Sequence, residues 1–293
     1  RRVSLMRFAM MKLNGWEQAV VPQKEGWTAI QALNTRAGTH FPETLAEIIA
    51  ADCRGELDAL LGDRGITGPL IPEPLNFGPP LRRPGKIWGI GLNYGDHAAD
   101  LNERTPEQPA SFMKPATAVI GPQEPIRLPP QAGEVTAEGE LGVIIGKRCR
   151  KISLAQAREV IFGYTPIIDM TALDILKQNP RYLTRAKSFD TFFSFGPVVL
   201  SADEIADLEG LEVRTIVNGE IRAANTVANM TFGPLELVRY HSHVMTLEPG
   251  DVISTGTPGA WPIHPGDVVR SEISGFPALE NPVVADDPGP DED

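Results

Sequence analysis

The sequence is poor in cysteine and contains no long hydrophobic run. Only Cys53 and Cys149 occur in 293 residues, too few for a disulfide framework and typical of proteins in a reducing compartment. No window approaches the ~20 consecutive apolar residues of a membrane-spanning helix, and the first residues do not resemble a signal peptide. We therefore expect a cytoplasmic protein that does not enter a membrane.

Clusters of basic residues are also missing. The chain has 27 Lys and Arg against 38 Asp and Glu, a formal net charge of −11. Nucleic-acid-binding surfaces need patches of Lys and Arg to neutralise phosphates, so we expect no nucleic-acid partner. Part of the negative charge lies in residues 286–293, DDPGPDED, which we predict to be a disordered acidic tail.

Proline marks the expected domain boundary. Six prolines between residues 66 and 85 block regular hydrogen-bond ladders and predict an extended linker. We therefore predict a small N-terminal domain with its linker at residues 1–80 and a catalytic domain at residues 81–285. Within the first domain, short apolar runs and turn residues predict a few strands before residue 33, and the apolar spacing predicts one amphipathic helix from Pro42 to Gly62.

Two glutamates occupy alternate positions in a predicted strand. Glu138 and Glu140 share one face, opposite the apolar residues 141, 143 and 145. Such a pair is often only the wet face of a half-buried sheet. Asp169, however, closes a second apolar strand at residues 164–168, and pairing of the two strands would gather three carboxylates. Three carboxylates with water and substrate oxygens suit Mg²⁺ or Mn²⁺.

Eight segments between residues 86 and 284 form an ordered set of motifs: KIWGIGLNYGDHAAD, SFMKP, AEGELGVIIG, GYTPIIDMTALD, AKSFDTFFSFGP, VNGE, LEPGDVISTGTPG and PGDVV. In order and approximate spacing, they resemble the fumarylacetoacetate hydrolase family. The resemblance implies a β-rich α+β fold in which a mixed β-sheet roll follows a small N-terminal domain. It also implies a metal ion at Glu138, Glu140 and Asp169, and a homodimer.

The resemblance further implies three catalytic residues. His97 would be the general base on a short helical lid, although a lone histidine is more often structural. Asp100 stands where the family usually has a Glu that orients this base, and Glu103 is the substitute if Asp100 is too short. A carboxylate that accepts the imidazole N–H fixes the tautomer and raises basicity. Lys187 would stabilise negative charge beside the metal. A salt bridge to Asp190 or to a ligand Glu is the structural alternative, and both roles can hold together.

Substrate-binding candidates come from four other segments. They are Asn93 and Tyr94 after the strand KIWGIG, Lys114 in SFMKP, Arg181 and Arg185 in NPRYLTR, and Thr255, Gly256 and Thr257 in STGTPG. For Lys114 the alternative is a surface lysine whose stem covers apolar neighbours. The two arginines are possible replacements for an Arg that the family commonly has at position 173, where this chain has Leu173.

The function implied by the resemblance is hydrolysis of the C–C bond of an acylpyruvate-like 1,3-dicarbonyl 2-oxo acid. The small-molecule substrate would be held by the metal, and water activated by His97 would attack its distal carbonyl. The alternative is an isomerase, tautomerase or decarboxylase of a 2-oxo acid that forms the same enolate, and Leu173 makes this alternative serious. A binding protein without activity is the third possibility. Retention of His97, Lys187 and the three carboxylates argues against it.

Overall fold

A computed structural model describes residues 6–95 and 106–287 of the chain. The strands before the first metal-ligand candidate are β1 Arg7–Leu13, β2 Trp16–Gln23, β3 Gly26–Ala29, β4 Phe77–Gly78, β5 Ile87–Gly91, β6 Ala110–Lys114, β7 Val119–Ile120 and β8 Ile126–Leu128. The later strands are β9 Val135–Ile145, β10 Ile161–Ala172, β11 Phe193–Phe195, β12 Val198–Ser201, β13 Glu212–Val217, β14 Glu220–Thr226, β15 Val252–Ser254, β16 Ala260–Ile263, β17 Val268–Ile273 and β18 Leu279–Ala285. The α-helices are α1 Ile30–Ala37, α2 Leu45–Ala50, α3 Arg54–Gly62, α4 Leu154–Val160, α5 Leu173–Gln178, α6 Leu183–Lys187 and α7 Pro234–Val244.

The described strands form two sheets. The larger sheet has 13 strands, with the order β3-β2-β1-β12-β10-β9-β15-β5-β6 along its main path, and the smaller has five, in the order β14-β13-β17-β18-β8. Most neighbours are antiparallel, but three pairs are parallel: β15 with β5, β18 with β8, and β11 with β7. The prediction of a β-rich α+β fold with mixed sheets is confirmed.

The N-terminal strands continue the larger sheet. Strand β1 pairs with β12, with Arg7 opposite Leu200, and β2 and β3 extend the sheet outward from β1. One apolar cluster joins residues of β1 and α1 to residues of β10 and β12. The boundary near residue 80 stays a prediction, as does the disordered tail, whose residues 288–293 lie outside the described part of the chain.

The single helix predicted from Pro42 to Gly62 is wrong. Two helices, α2 and α3, occupy this range and are separated by residues 51–53. Asp52 adopts a φ of +50°, a left-handed conformation that an α-helix cannot continue through. The predicted apolar face is nevertheless retained on both helices, because Leu45, Ile48, Ile49, Leu57 and Leu60 are all buried.

Strands β9 and β10 form the centre of the larger sheet. They pair antiparallel over almost their whole length, with Glu138 opposite Asp169 and Glu140 opposite Ile167. The smaller sheet packs against β9 at Gly139, where a Cβ atom would lie 2.8 Å from the carbonyl oxygen of Arg214. Only glycine permits this close approach, so the residue between the two glutamates is fixed by sheet packing.

Asn218 and Gly219 form the hairpin turn between β13 and β14, and both adopt positive φ. Of the helices in the two described ranges, none has the length and apolar character needed to cross a membrane.

Candidate metal centre and active site

Three carboxylates meet where β9 and β10 pair. One oxygen from each of Glu138, Glu140 and Asp169 lies within 4.8 Å of the other two. The exposed fractions of these residues are 8%, 2% and 0%. The glutamates therefore do not lie on the wet face of a half-buried sheet, which was the alternative interpretation of the sequence.

Two buried lysines surround this acidic triad. The ammonium group of Lys187 donates to Glu138 Oε2 and to Asp169 Oδ2, at 2.9 Å in both cases. The ammonium group of Lys114 lies 2.5 Å from Asp169 Oδ1. Three carboxylates face two ammonium groups, so the buried cluster retains an excess of negative charge when all five are ionised. A buried excess of this sign favours an additional cation.

The electrostatics of the cluster shift several pKa values. Burial, together with repulsion from Asp169 and Glu138, raises the pKa of Glu140 to about 8. Burial would also raise the pKa of Asp169, but attraction to Lys114 and Lys187 outweighs it and lowers that pKa. Burial lowers the pKa of Lys114 despite the opposing effect of Asp169. For Lys187, attraction to the three carboxylates outweighs burial and raises the pKa.

Short-range contacts fix Lys187 in place. It is the last residue of α6, and its Nζ lies over the ring of Phe112, 4.8 Å from the ring centroid. Phe112 in turn packs on Gly89 of the neighbouring strand, where a Cβ atom would come within 2.3 Å of the ring. The alternative role of Lys187, a salt bridge to a ligand Glu, is therefore observed in its contact with Glu138, and that contact is compatible with a catalytic role.

Lys114 is buried, unlike the surface lysine that the sequence allowed. Its side chain has no exposed area, and its Nζ also lies 3.4 Å from the carbonyl oxygen of Met170. Strand β6 brings it to the triad from the edge of the larger sheet. Its ammonium group is thus part of the charge balance around Asp169.

Hydroxyl groups hold the two glutamates. Thr171 donates a short hydrogen bond to Glu138 Oε1. Ser254 donates a short hydrogen bond to Glu140 Oε2, and the backbone N–H of Gly256 donates to the same oxygen at 2.8 Å. The sequence analysis missed Thr171 and Ser254. Thr171 follows Asp169 by two residues in a strand, and that same-face spacing could have identified it.

Asn93 anchors the STGTPG segment rather than pointing freely into a pocket. Its Nδ2 donates to the carbonyl oxygens of Thr255, at 2.7 Å, and Phe232, at 2.9 Å. Its Oδ1 accepts from the backbone N–H of Phe232. The neighbouring Tyr94 is fully buried, and its hydroxyl has no hydrogen-bond partner within the described ranges. Burial and the nearby charge of Glu140 raise the pKa of this phenol.

The STGTPG hydroxyls are also used within the chain. Thr255 Oγ1 donates to the carbonyl oxygen of Leu141 at 2.8 Å, and Thr257 Oγ1 donates to that of Gly259 at 2.9 Å. Gly256 has a φ of +98°, and a Cβ atom there would lie 2.8 Å from Asn93 Cβ. The segment is therefore tightly held, and it touches the triad through the Ser254 hydroxyl and the Gly256 N–H, which both donate to Glu140.

The remaining predicted residues are not brought to the triad within the described part of the chain. Arg181 and Arg185 are exposed, and Arg185 lies two residues before Lys187 on α6, close to the opposite side of a helix. Leu173 begins α5 and is half-buried. The lid residues, His97, Asp100 and Glu103, lie outside the described residues, so their roles stay predictions.

The chain matches a known family over most of its length. The family model described as fumarylacetoacetate (FAA) hydrolase, C-terminal, covers residues 86–284. The chain belongs to this family. The mitochondrial oxaloacetate tautomerase of Rattus norvegicus is 35% identical over 255 residues, which cover 83% of this chain and 80% of the relative.

Solved structures of family members have the same fold. Maleylpyruvate hydrolase from Sphingobium sp. SYK-6, in complex with Mn²⁺ and pyruvate, superposes with a TM-score of 0.77 at 29% identity, covering 96% of this chain and all of the other. The 5-carboxymethyl-2-hydroxymuconate delta-isomerase of Mycobacterium smegmatis gives a TM-score of 0.73 at 31% identity, with the same coverage. The family therefore includes enzymes named as hydrolases, isomerases and tautomerases.

Proposed function

We propose that the protein is a divalent-metal-dependent enzyme that hydrolyses the C–C bond of an acylpyruvate-like 2-oxo acid. The observation that carries this proposal is the buried triad of Glu138, Glu140 and Asp169 with Lys187 bonded to two of its members. A 2-oxo acid binds hard cations through its carboxylate and 2-oxo oxygens. Its enolate carries the negative charge that a neighbouring ammonium group can stabilise.

The donor set of the triad fits Mg²⁺ or Mn²⁺. All three donors are carboxylate oxygens, which hard divalent cations prefer, and three protein ligands leave coordination positions for water and substrate. When all three carboxylates and both lysines are ionised, the buried cluster has an excess of negative charge that a divalent cation would balance. The maleylpyruvate hydrolase that shares the fold contains Mn²⁺ together with pyruvate, which is consistent with a 2-oxo acid at this site.

In the proposed mechanism, each side chain has one task. Glu138, Glu140 and Asp169 would hold a divalent ion, which would supply Lewis-acid polarisation of the substrate's 2-oxo group. His97, oriented by Asp100, takes a proton from water as the water oxygen bonds to the distal carbonyl carbon. The C–C bond then breaks, its electron pair passes to the enolate of pyruvate, and the distal group leaves as a carboxylic acid. Lys187 stabilises the enolate oxygen before the carbon is protonated. This charge is larger in the transition state than in the bound substrate.

A second candidate function is tautomerisation of oxaloacetate. It is favoured by the identity with the rat oxaloacetate tautomerase, which extends over 83% of this chain. Tautomerisation needs the same enolate but no water, because a proton only moves between carbon and oxygen. Leu173, in place of the Arg expected from the family pattern, removes a cation near the start of α5 and is compatible with a different substrate.

The two candidates are separated by incubating the protein with acetylpyruvate and with oxaloacetate, each with Mg²⁺ and with EDTA. Hydrolysis predicts acetate and pyruvate in equal amounts, measured by NMR, from acetylpyruvate only when metal is present. Tautomerisation predicts faster exchange between keto and enol oxaloacetate without new products. Metal-independent cleavage would contradict both mechanisms.

We also propose that the protein acts as a homodimer in the cytoplasm. Exposed apolar side chains, including Trp16 at 76%, Ile221 at 56% and Val244 at 55%, provide surface that a second copy could bury. Sedimentation equilibrium tests the assembly, and a concentration-independent monomer mass would refute it. Fractionation of cells that produce the protein tests the location.

A further inference from the structure

We infer that Thr171 and Ser254 are positioning residues that set the orientation of Glu138 and Glu140 and thereby the affinity of the site for its divalent ion. The inference rests on the metal site proposed above. It adds that two hydroxyl groups, neither of which is a proposed ligand, make the carboxylates ready to bind.

Thr171 is placed by the strand that carries Asp169. The two residues are two positions apart on β10, so their side chains lie on one face, and the pairing with β9 puts Glu138 opposite Asp169. Thr171 is 2% exposed, and its hydroxyl donates to Glu138 Oε1. Lys187 donates to the other oxygen, Oε2, at 2.9 Å. Each oxygen of Glu138 therefore has a donor on one side, and the plane of the carboxylate is fixed.

Ser254 holds the second glutamate differently. It ends β15, is fully buried, and donates to Glu140 Oε2, which also accepts the backbone N–H of Gly256. Both donors reach the same oxygen. Within the described ranges, the hydrogen bonds to Glu140 thus leave Oε1 available, and this is the oxygen that we assign to the ion.

The energetic reason lies in the last torsion of the glutamate side chain. This torsion is broad and weakly restricted in an isolated side chain. In a buried cluster of like charges, repulsion between Glu138 and Glu140 favours turning the carboxylates apart. A hydroxyl donor opposes this rotation before the ion arrives, so less ordering is needed on binding. Loss of such partners in metal sites typically weakens metal affinity by about 10- to 100-fold.

The test measures Mn²⁺ affinity directly, from the EPR signal of free Mn²⁺, and needs no substrate. Thr171→Val keeps the shape of the side chain and removes the hydroxyl, while Thr171→Ser keeps the hydroxyl. We expect the Kd of Thr171→Val to rise by about 10- to 100-fold and that of Thr171→Ser to stay near the parent value. Ser254→Ala should raise Kd by a smaller factor, because the Gly256 N–H still holds Glu140.

Thr165→Val is the matched control. Thr165 is a fully buried threonine on the same strand, and its hydroxyl donates to the carbonyl oxygen of Val198 at 3.0 Å rather than to a carboxylate. The Thr165→Val variant should be less stable than the parent but should bind Mn²⁺ with the same Kd. Circular dichroism and thermal melting in EDTA establish that each variant is folded.

The outcomes are distinct. A parent protein that binds no Mn²⁺ would refute the proposed metal site and this inference together. Normal parent binding with unchanged Kd in Thr171→Val, or in Ser254→Ala, would refute the positioning role of that residue alone. An equal loss of Mn²⁺ affinity in Thr171→Val and Thr165→Val would show that general destabilisation weakens binding, and it would also overturn the inference.

Discussion

Lys187 and Asp169 form a buried ion pair in which Nζ and Oδ2 are 2.9 Å apart. Asp169 is held on its other side by Lys114, and Lys187 also reaches Glu138. One carboxylate and one ammonium group thus connect α6, β6, β9 and β10 at a single point. Because both groups are almost without solvent exposure, the interaction is little screened, and changes to either residue should have large effects.

Replacing Lys187 by Met should lower kcat by about 10²- to 10³-fold, the loss typical of removing one group that stabilises developing negative charge. KM should change less, since the proposed role of Lys187 belongs to the enolate rather than to the bound substrate. Steady-state kinetics with acetylpyruvate as the substrate provide the measurement. Lys177→Met is the control, because Lys177 is exposed and, within the described residues, forms a surface ion pair with Glu134. Equal kcat in Lys187→Met and the parent would exclude the proposed role.

Replacing Asp169 by Asn should abolish metal binding and turnover while leaving the shape of the side chain. One charged ligand of three is lost, and Lys114 and Lys187 lose a shared partner. Isothermal titration with Mn²⁺ measures the first effect, and product formation measures the second. Asp190→Asn, at an exposed position on the same KSFD segment, should bind and turn over normally. Full activity of Asp169→Asn, or of the parent in EDTA, would eliminate the metal mechanism.

His241 predicts a pH dependence of stability remote from the triad. The side chain is fully buried. Its ring packs against Trp88, with ring centroids 4.6 Å apart, and its Nδ1 contacts the carbonyl oxygen of Leu237. Burial lowers its pKa in the folded protein. The unfolded chain therefore binds more protons, and the free energy of unfolding should fall as the pH drops below about 6.5.

His241→Phe keeps a planar ring and removes this titration. Urea unfolding between pH 5 and pH 7 should show a shallower loss of stability in His241→Phe than in the parent. His40→Gln, at an exposed position, should keep the parental slope. Identical slopes in all three proteins would show that His241 does not contribute to this dependence.

The triad was predictable because alternation in strands is a local property. The two-residue spacing of Glu138 and Glu140 fixes their common face. Asp169 was predicted as the carboxylate that ends a second apolar strand, and the family resemblance supported its place in the triad. The spacing of Asp169 and Thr171 indicates their common face, but the contact of Thr171 with Glu138 also depends on the register between β9 and β10. The contact of Ser254 with Glu140 depends on the pairing of β15 with β9. The sequence does not specify either register locally. The same limit applies to STGTPG, whose hydroxyls Thr255 and Thr257 bond the main chain instead of facing outward.

The break between α2 and α3 has a different cause. Apolar periodicity is nearly continuous from residue 45 to residue 61, and both helices bury that face. Asp52 interrupts the backbone with a φ of +50°, and aspartate tolerates this conformation better than most residues. The hydrophobic pattern therefore predicted which residues are buried but not where the helix ends.

The lid prediction concerns Asp100, which stands three residues after His97. Asp100→Asn keeps the size of the side chain but replaces a carboxylate, which only accepts, by an amide that can favour the wrong imidazole tautomer. We expect kcat to fall by about 10²- to 10⁴-fold, the range of general acid–base catalysis, while the Kd for Mn²⁺ is unchanged. Asp100→Glu should be tolerated, because it restores the length usual in the family.

Glu103→Gln should lower kcat only if Glu103, rather than Asp100, orients the histidine. The kcat values of Asp100→Asn and Glu103→Gln therefore show which of the two residues has this role. Near-parental hydrolysis by His97→Ala would show instead that His97 is structural and that another group activates water.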